Sequence, residues 1–191
     1  MKLGIIVGTV RQNRVSGGQA KWVANTAAKH DNVAVTVIDL LDYKLPLFDE
    51  PVSPRYNPSR DIHPEVQKFL DVVAEQDAYI VITPEYNHSM PGALKNAFDY
   101  MDTQLNRKPA AIVSHGTVGG ARAAMHLKEV LSEGKALPIP NFVAVLMSDL
   151  ANENGEVSEA VLANPYGVQT ALDGTIAELK WTSDALAAAR L

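Results

Sequence analysis

The chain has 191 residues, of which 47 % are apolar and 20 % are charged, and its net charge is −5. The length suits one domain, residues 1–191, with a full core, and the composition excludes a disordered chain. The mild negative charge gives no reason to expect a nucleic acid or an anionic membrane as a partner. No segment approaches the roughly 18 apolar residues of a membrane span.

The chain contains no cysteine. This excludes disulfides, thiolate zinc sites, iron–sulfur clusters and thiol catalysis, and the histidines lack metal-ligand spacing, so we expect no metal. The opening MKLGIIVGTV is interpreted as a buried strand rather than an export signal, because Gly8 and Arg11 interrupt the apolar run. A cysteine-free chain also suits a reducing compartment, so we expect a cytoplasmic protein.

Short β-branched runs alternate with stretches of helical period along the chain. The first strand is predicted at residues 2–7, the first helix around residues 20–28 and the second strand at 33–40. Residues 41–63 carry four prolines and no clear period, so they form a long loop, which is often a functional feature. Further strands follow at 78–83, 109–114 and 141–147, with helices around 66–73, 94–101, 123–131 and 172–186.

Strand–helix alternation repeated five times predicts an α/β fold with a parallel sheet in a three-layer sandwich. Crossover handedness permits the strand orders 3-2-1-4-5 and 2-1-3-4-5, and the pattern alone does not choose between them. In either order, ligands bind beyond the carboxyl ends of the strands where the order reverses.

The loop after the first strand reads GTVRQNRVS from Gly8 to Ser16. Hydroxyls and two arginines before a helix N-terminus favour an anion such as phosphate, because free N–H groups and guanidinium groups bind its oxygens. The alternative is a capped helix start with Ser16 as the N-cap. The loop lacks both G-x-G-x-x-G and G-x-x-x-x-G-K-[ST], so it predicts neither a Rossmann nor a Walker site. Asp39, at the end of the second strand, is then interpreted as an acid that starts the following loop.

The loops after the third and fourth strands read PEYNHSMPG and SHGTVGG. The first has a backbone stiffened by proline and a flat tyrosine ring, and the second has three glycines that allow a ligand to approach the backbone. Either loop could equally be an ordinary turn, and His115 could be filler. Ser114 is not predicted to be a hydrolase nucleophile, because Ile112 occupies the glycine position of G-x-S-x-G.

Together the three loops resemble the NADPH-dependent FMN reductase family, whose relatives include quinone, azo-dye and chromate reductases. The resemblance rests on G-T-x-R-x-x-R-x-S, P-E-Y-N-x-S-x-P-G-x-L-K-N-A-x-D and S-x-G-x-x-G-G, and it covers the chain from the first strand to the fifth. It implies a flavodoxin-like fold with a five-stranded parallel sheet in the order 2-1-3-4-5. It also implies an FMN oxidoreductase that uses NADPH or NADH to reduce a small acceptor such as a quinone, free flavin, azo compound or metal ion.

By the same resemblance, the three loops share the binding of FMN. The phosphate would be held by Thr9, Arg11, Arg14 and Ser16. The ribityl chain and one edge of the ring would contact Pro84, Glu85, Tyr86, Asn87 and His88. The other side of the ring would border Ser114, Gly116, Gly119 and Gly120. The resemblance also implies a homodimer or homotetramer, with the long loop as a wall of the acceptor pocket or a subunit contact.

Several points stay open at the level of sequence. No catalytic residue is assigned, and Tyr86 and His88 are the nearest candidates. The alternatives are a flavodoxin-like FMN electron carrier without nicotinamide activity and a phosphate-ligand module without flavin. FMN could be a prosthetic group or a substrate, and a cation for the 2′-phosphate of NADPH could be Arg55, Arg60 or Arg107.

Overall fold

Six strands form one parallel sheet in the computed structural model, which describes residues 1–189. The strand order β2-β1-β3-β4-β5 confirms the flavodoxin-like order and excludes 3-2-1-4-5, and a sixth strand also pairs with β4. The strands are β1 (Lys2–Val7), β2 (Ala34–Asp39), β3 (Ala78–Pro84), β4 (Pro109–Gly116), β5 (Leu137–Pro138) and β6 (Val143–Leu146).

The fifth position of the sheet differs from the single strand predicted at residues 141–147. Two short strands occupy it, because Leu137 and Pro138 pair with the start of β4 whereas Val143–Leu146 pairs with its end. The sequence explains this division, since Pro140 has no N–H to continue the ladder. The other four predicted strands are confirmed within two residues at each end.

Helices cover both faces of the sheet. They are α1 (Ser16–Ala27), α2 (Pro64–Ala74), α3 (Gly92–Asp99), α4 (Ala121–Glu133), the short α5 (Glu159–Leu162), which the sequence pattern did not predict, and α6 (Val168–Ala189). The apolar stripes of α1 and α6 bury one face, and those of α2, α3 and α4 bury the other. The three-layer prediction is therefore confirmed.

Alternate residues of each strand supply the two cores. In β3, for example, Tyr79 and Val81 belong to the core beneath α2–α4, and Ile80 and Ile82 belong to the core beneath α1 and α6. Because every residue of β3 is buried, this strand lies at the centre of the sheet. The carboxyl ends of β1, β3 and β4 consequently lie side by side at one edge.

The long loop, residues 41–63, has short 3-10 turns but no longer element within it. It is fastened to α3 through the side chain of Asn96, which donates to the carbonyl of Pro46 at 2.7 Å and accepts from the N–H of Phe48 at 2.8 Å. The Phe48 ring packs edge-on against Tyr100, with ring centroids 5.2 Å apart. The loop is thus an ordered part of the fold next to α3.

Candidate functional site

Three loops converge at the carboxyl edge of the sheet: loop 1 (residues 8–15, after β1), loop 3 (residues 85–91, after β3) and loop 4 (residues 117–120, after β4). The hydroxyls of Thr9 and Tyr86 share a hydrogen bond of 3.1 Å, which joins loop 1 to loop 3. The N–H of Glu85 donates to the carbonyl of His115 at 2.9 Å, which joins loop 3 to the end of β4 that leads into loop 4. The predicted convergence is therefore what the structure shows.

Loop 1 leaves hydrogen-bond donors without protein acceptors. The buried hydroxyl of Thr9 accepts from the N–H of Arg11 at 3.3 Å, whereas the N–H groups of Gln12 and Asn13 meet no acceptor among residues 1–189. The guanidinium of Arg11 is exposed and lies 5.7 Å from the centre of the Tyr86 ring. Free N–H groups and a cation just before a helix N-terminus suit a bound phosphate.

Arg14 has a different position from Arg11. Its guanidinium makes a bidentate ion pair with Asp39, with Nη1 2.7 Å from Oδ1, and it also donates to the carbonyl of Thr9. The side chain is only 12 % exposed. Asp39 in turn accepts from the N–H of Leu41, so the prediction of a loop-starting acid is confirmed, and Arg14 ties loop 1 to the end of β2.

Ser16 faces inward from the first turn of α1. The N-cap position belongs to Val15 rather than to Ser16, and the Ser16 hydroxyl lies 2.9 Å from Nε2 of His115. Both residues are buried. Burial lowers the pKa of His115 to about 4, so the ring is neutral at neutral pH. Sequence reasoning missed this pair because the two residues are 99 positions apart and no local pattern links them.

Loop 3 is a tight two-residue hairpin turn. Tyr86 and Ser89 exchange backbone hydrogen bonds of 2.9 and 3.0 Å, and between them Asn87 and His88 adopt φ values of 49° and 67°. Two successive positive φ values characterise a type I′ turn, a conformation that asparagine tolerates better than histidine. The turn is exposed, so it presents its polar backbone edge to solvent or to a ligand.

Glu85 is held at the base of this turn by α4. Its carboxylate accepts from the N–H of Arg122 at 3.0 Å and from the Arg122 guanidinium at 2.9 Å. Burial raises the pKa of Glu85, but hydrogen bonds from the Arg122 side chain and from the N–H groups of Arg122 and Ala123 outweigh it and leave the pKa below its usual value. The side chain is therefore a fixed anion rather than a proton donor at neutral pH.

Loop 4 depends on two of its glycines. Gly119 and Gly120 have φ values of 74° and 72°, and a Cβ on Gly120 would lie 2.8 Å from the backbone N of His115. A Cβ on Gly116 would meet only ordinary contacts. The hydroxyl of Ser114 donates to the carbonyl of Gly119 at 2.7 Å, which fixes the turn from within. Pro84, the last residue of β3, lies beside His115 in the sheet register.

An apolar cavity of about 390 Å³ adjoins loop 1 at Val10. Most of its wall is formed by Leu40, by the first part of the long loop with Leu41, Leu45 and Leu47, and by the N-terminus of α3. Within residues 1–189, no cluster of three or more acidic or histidine side chains is arranged to hold a metal ion. Over the same residues, no helix combines the length and apolar character needed to cross a membrane.

The edge of the sheet fits FMN on its own geometry. Loop 1 offers free N–H groups and an exposed guanidinium for a phosphate, loop 3 offers a flat ring and an exposed backbone edge, and loop 4 offers glycine backbone that a ring system can approach. This edge and the strand order define the flavodoxin-like flavoproteins as the class of protein.

Residues 1–149 match the family described as NADPH-dependent FMN reductase, and the chain belongs to that family. It is 32 % identical to an NAD(P)H-dependent FMN reductase of Saccharomyces cerevisiae over 178 residues, which cover 85 % of this chain and 93 % of the relative. It is 28 % identical to the quinone reductase of Escherichia coli K12, covering 92 % of this chain and 95 % of the relative. The chain is therefore an NAD(P)H-dependent FMN oxidoreductase that reduces small acceptors.

Solved structures agree on the fold. The flavoenzyme NAD(P)H:(acceptor) oxidoreductase FerB from Paracoccus denitrificans superimposes with a TM-score of 0.73 at 22 % identity, covering 95 % of this chain and 98 % of that one. A flavodoxin mutant from Pseudomonas aeruginosa superimposes with a TM-score of 0.57 at 12 % identity, covering 94 % of this chain and 99 % of that one.

Proposed function

We propose that FMN binds across the three loops, with its phosphate on loop 1 and its ring between loop 3 and loop 4. The observation that carries this proposal is the convergence of an exposed arginine, free loop amides and the type I′ turn at one edge. The residues proposed to form the site, by contact with FMN or by support of its loops, remain those predicted from sequence: Thr9, Arg11, Arg14, Ser16, Pro84, Glu85, Tyr86, Asn87, His88, Ser114, Gly116, Gly119 and Gly120.

Some residues of the proposed site can contact FMN directly, and others support the loops that do. Arg11 has an exposed guanidinium that can turn toward a phosphate, whereas Arg14 is engaged by Asp39 and supports the loop from behind. Tyr86, held by Thr9, supplies a flat surface, and the backbone of Asn87 and His88 supplies polar groups at the ring edge. These residues bind and orient the cofactor, and none of them needs to transfer a proton.

When bound, FMN supplies the redox chemistry, accepting hydride from NADPH or NADH and reducing the acceptor in turn. The protein contributes orientation and electrostatics. Hydrogen bonds from Arg122 and Ala123 hold the pKa of Glu85 below its usual value and burial lowers the pKa of His115, so Glu85 is ionised and His115 is neutral at neutral pH. Preorganised N–H groups of loop 3 would stabilise negative charge that develops on the reduced ring.

Three arginines are the predicted candidates for a cationic contact to the 2′-phosphate of NADPH, namely Arg55, Arg60 and Arg107. The guanidinium of Arg60 is 6 % exposed and bonds to Glu50 at 2.6 Å and to the carbonyl of Tyr100 at 2.8 Å, so it fastens the long loop. Arg55 donates to the carbonyl of Glu133 at 3.1 Å. Arg60 is therefore committed to the fold and Arg55 is partly engaged, and Arg107 also interacts within the protein, so none of the three is singled out for the 2′-phosphate.

Anaerobic mixing of the FMN-loaded protein with NADPH, and separately with NADH, tests the proposed reaction. We expect the added nicotinamide to bleach the flavin absorbance. The absorbance should recover when a quinone, an azo dye or free flavin is then added. A yellow protein that neither nicotinamide bleaches would instead indicate the electron carrier. Colourless protein that takes up no added FMN would indicate a phosphate-ligand module.

We also propose that the protein is a cytoplasmic homodimer or homotetramer. The long loop supports an assembly, because it carries four large apolar side chains that are exposed to solvent, namely Leu41, Leu47, Val52 and Tyr56. The absence of cysteine supports a reducing compartment.

A further inference from the structure

His115 lies where the elements of the proposed FMN site meet. Its side chain reaches the first turn of α1, which follows loop 1, through the 2.9 Å contact between Nε2 and the hydroxyl of Ser16. Its carbonyl accepts the N–H of Glu85, the first residue of loop 3. Its backbone N and O lie so close to Gly120 that a Cβ there would come within 2.9 Å of both.

The Ser16–His115 contact is a buried bond between neutral groups. His115 is 5 % exposed and Ser16 is 0 % exposed, so neither group can exchange its partner for bulk water. Loss of either partner leaves a buried polar atom unsatisfied, which costs more than the bond itself contributes. The next polar side chain on this part of α1, Gln19, is buried with neither amide atom bonded to any residue in 1–189, so it does not duplicate the contact.

We propose that His115 is a positioning residue that sets the distance between the phosphate loop and the ring loops of the FMN site through its bond to Ser16. This inference rests on the proposed site. The side chain of His115 bonds to the start of α1, its carbonyl accepts from the first residue of loop 3, and its backbone packs against Gly120 of loop 4, so the phosphate donors and the ring contacts meet at one residue. The burial that keeps the ring neutral also maintains the bond at neutral pH.

The inference predicts a selective effect on the phosphate end of the ligand. His115→Phe keeps a ring in the space but removes the bond, so the start of α1 loses its inner contact. We expect FMN affinity to fall about tenfold, the scale of a net hydrogen bond together with an unsatisfied hydroxyl. Affinity for riboflavin, which has the ring and no phosphate, should change less than threefold. His115→Gln, whose amide can still bond to Ser16, should recover most of the FMN affinity.

Quenching of flavin fluorescence measures all of these dissociation constants. His30→Phe is the matched control, because His30 lies beyond the C-terminal end of α1 beside Asp173 and away from the three loops, and it should change neither constant. Circular dichroism checks that each variant folds. If His115→Phe does not fold, His115→Leu carries the same test, since it also removes the bond to Ser16 and should show the same FMN-selective loss.

The inference would be overturned by unchanged FMN affinity in His115→Phe, by equal losses for FMN and riboflavin, or by no recovery in His115→Gln. A double variant, Ser16→Ala with His115→Phe, should lose no more affinity than the larger single loss, because both changes remove one contact. Additive losses would also contradict the bond as the cause. Failure of the unsubstituted protein to bind FMN is a separate outcome that would reject the proposed site itself.

Discussion

At the residue scale, the two arginines of loop 1 have separate roles despite their identical chemistry. Arg11 is exposed above the Tyr86 ring, and Arg14 is largely buried against Asp39. We expect Arg11→Ala to weaken FMN binding by about 1.5–3 kcal/mol, the scale of a charged hydrogen bond, with little change in stability. Fluorescence titration with FMN and urea unfolding of the FMN-free protein measure the two quantities.

Arg14→Ala is the companion substitution, and it should lower stability more than it lowers FMN affinity. It leaves the carboxylate of Asp39 and the carbonyl of Thr9 without their guanidinium partner, so we expect the free energy of unfolding to fall by about 1–3 kcal/mol. Unchanged FMN retention in Arg11→Ala would contradict the assignment of loop 1. Unchanged stability in Arg14→Ala would contradict the structural role of that ion pair.

His115 also predicts how stability depends on pH. Its folded pKa of about 4 lies below its ordinary value of 6.5, so below pH 6.5 the unfolded chain binds a proton that the folded chain does not. The contribution of neutral His115 is therefore complete above pH 6.5 and is lost as the pH falls toward 4, by about 3 kcal/mol in total. Urea unfolding at several pH values should show this slope, and His115→Gln should lack it. Parallel profiles for the two proteins would contradict the prediction.

At the element scale, α3 holds the first part of the long loop through the side chain of Asn96. Asn96→Ala removes two hydrogen bonds to the loop, and we expect a loss of about 1–2 kcal/mol in stability and faster tryptic cleavage within residues 41–63. Asn96→Asp keeps the acceptor for Phe48 but not the donor to Pro46, so its cleavage rate should be intermediate. Lys95→Ala is the control, because it removes only an exposed pair with Asp99. Equal cleavage rates in all three variants would show that the loop is held elsewhere.

Sequence periodicity predicted the elements whose pattern is local. The buried run Lys2–Val7 became β1 with the same bounds, and the proline-rich stretch from 41 to 63 became a loop. The fifth sheet position was predicted as one strand because its apolar run is continuous through residues 142–147, whereas its division depends on pairing with β4. The motifs placed the three loops at one edge, but the bond from Ser16 to His115 and the pairing of Arg14 with Asp39 arise from tertiary contact and left no local signal.

At the scale of the whole molecule, the apolar side chains of the long loop contact water unless a partner buries them. Leu47 is 83 % exposed and Tyr56 is 78 % exposed, while Arg60 and Asn96 hold the loop in place. A preordered apolar surface loses little conformational entropy on association, which favours a stable interface. The long loop is therefore the surface where we expect a second copy to pack.

Sedimentation at micromolar concentration tests this expectation. The unsubstituted protein should sediment as two or four chains, and Leu47→Asp should shift it toward smaller species, because an interface would have to bury the new carboxylate without a partner. Tyr166→Asp is the matched control, since Tyr166 is 95 % exposed and precedes α6, which packs on the opposite face of the sheet from α3 and Phe48 of the long loop. A mass of one chain for the unsubstituted protein would reject the oligomer. An oligomer that resists Leu47→Asp would place the interface on another face, and Leu41 and Leu47 would then serve as part of the wall of the cavity beside Val10.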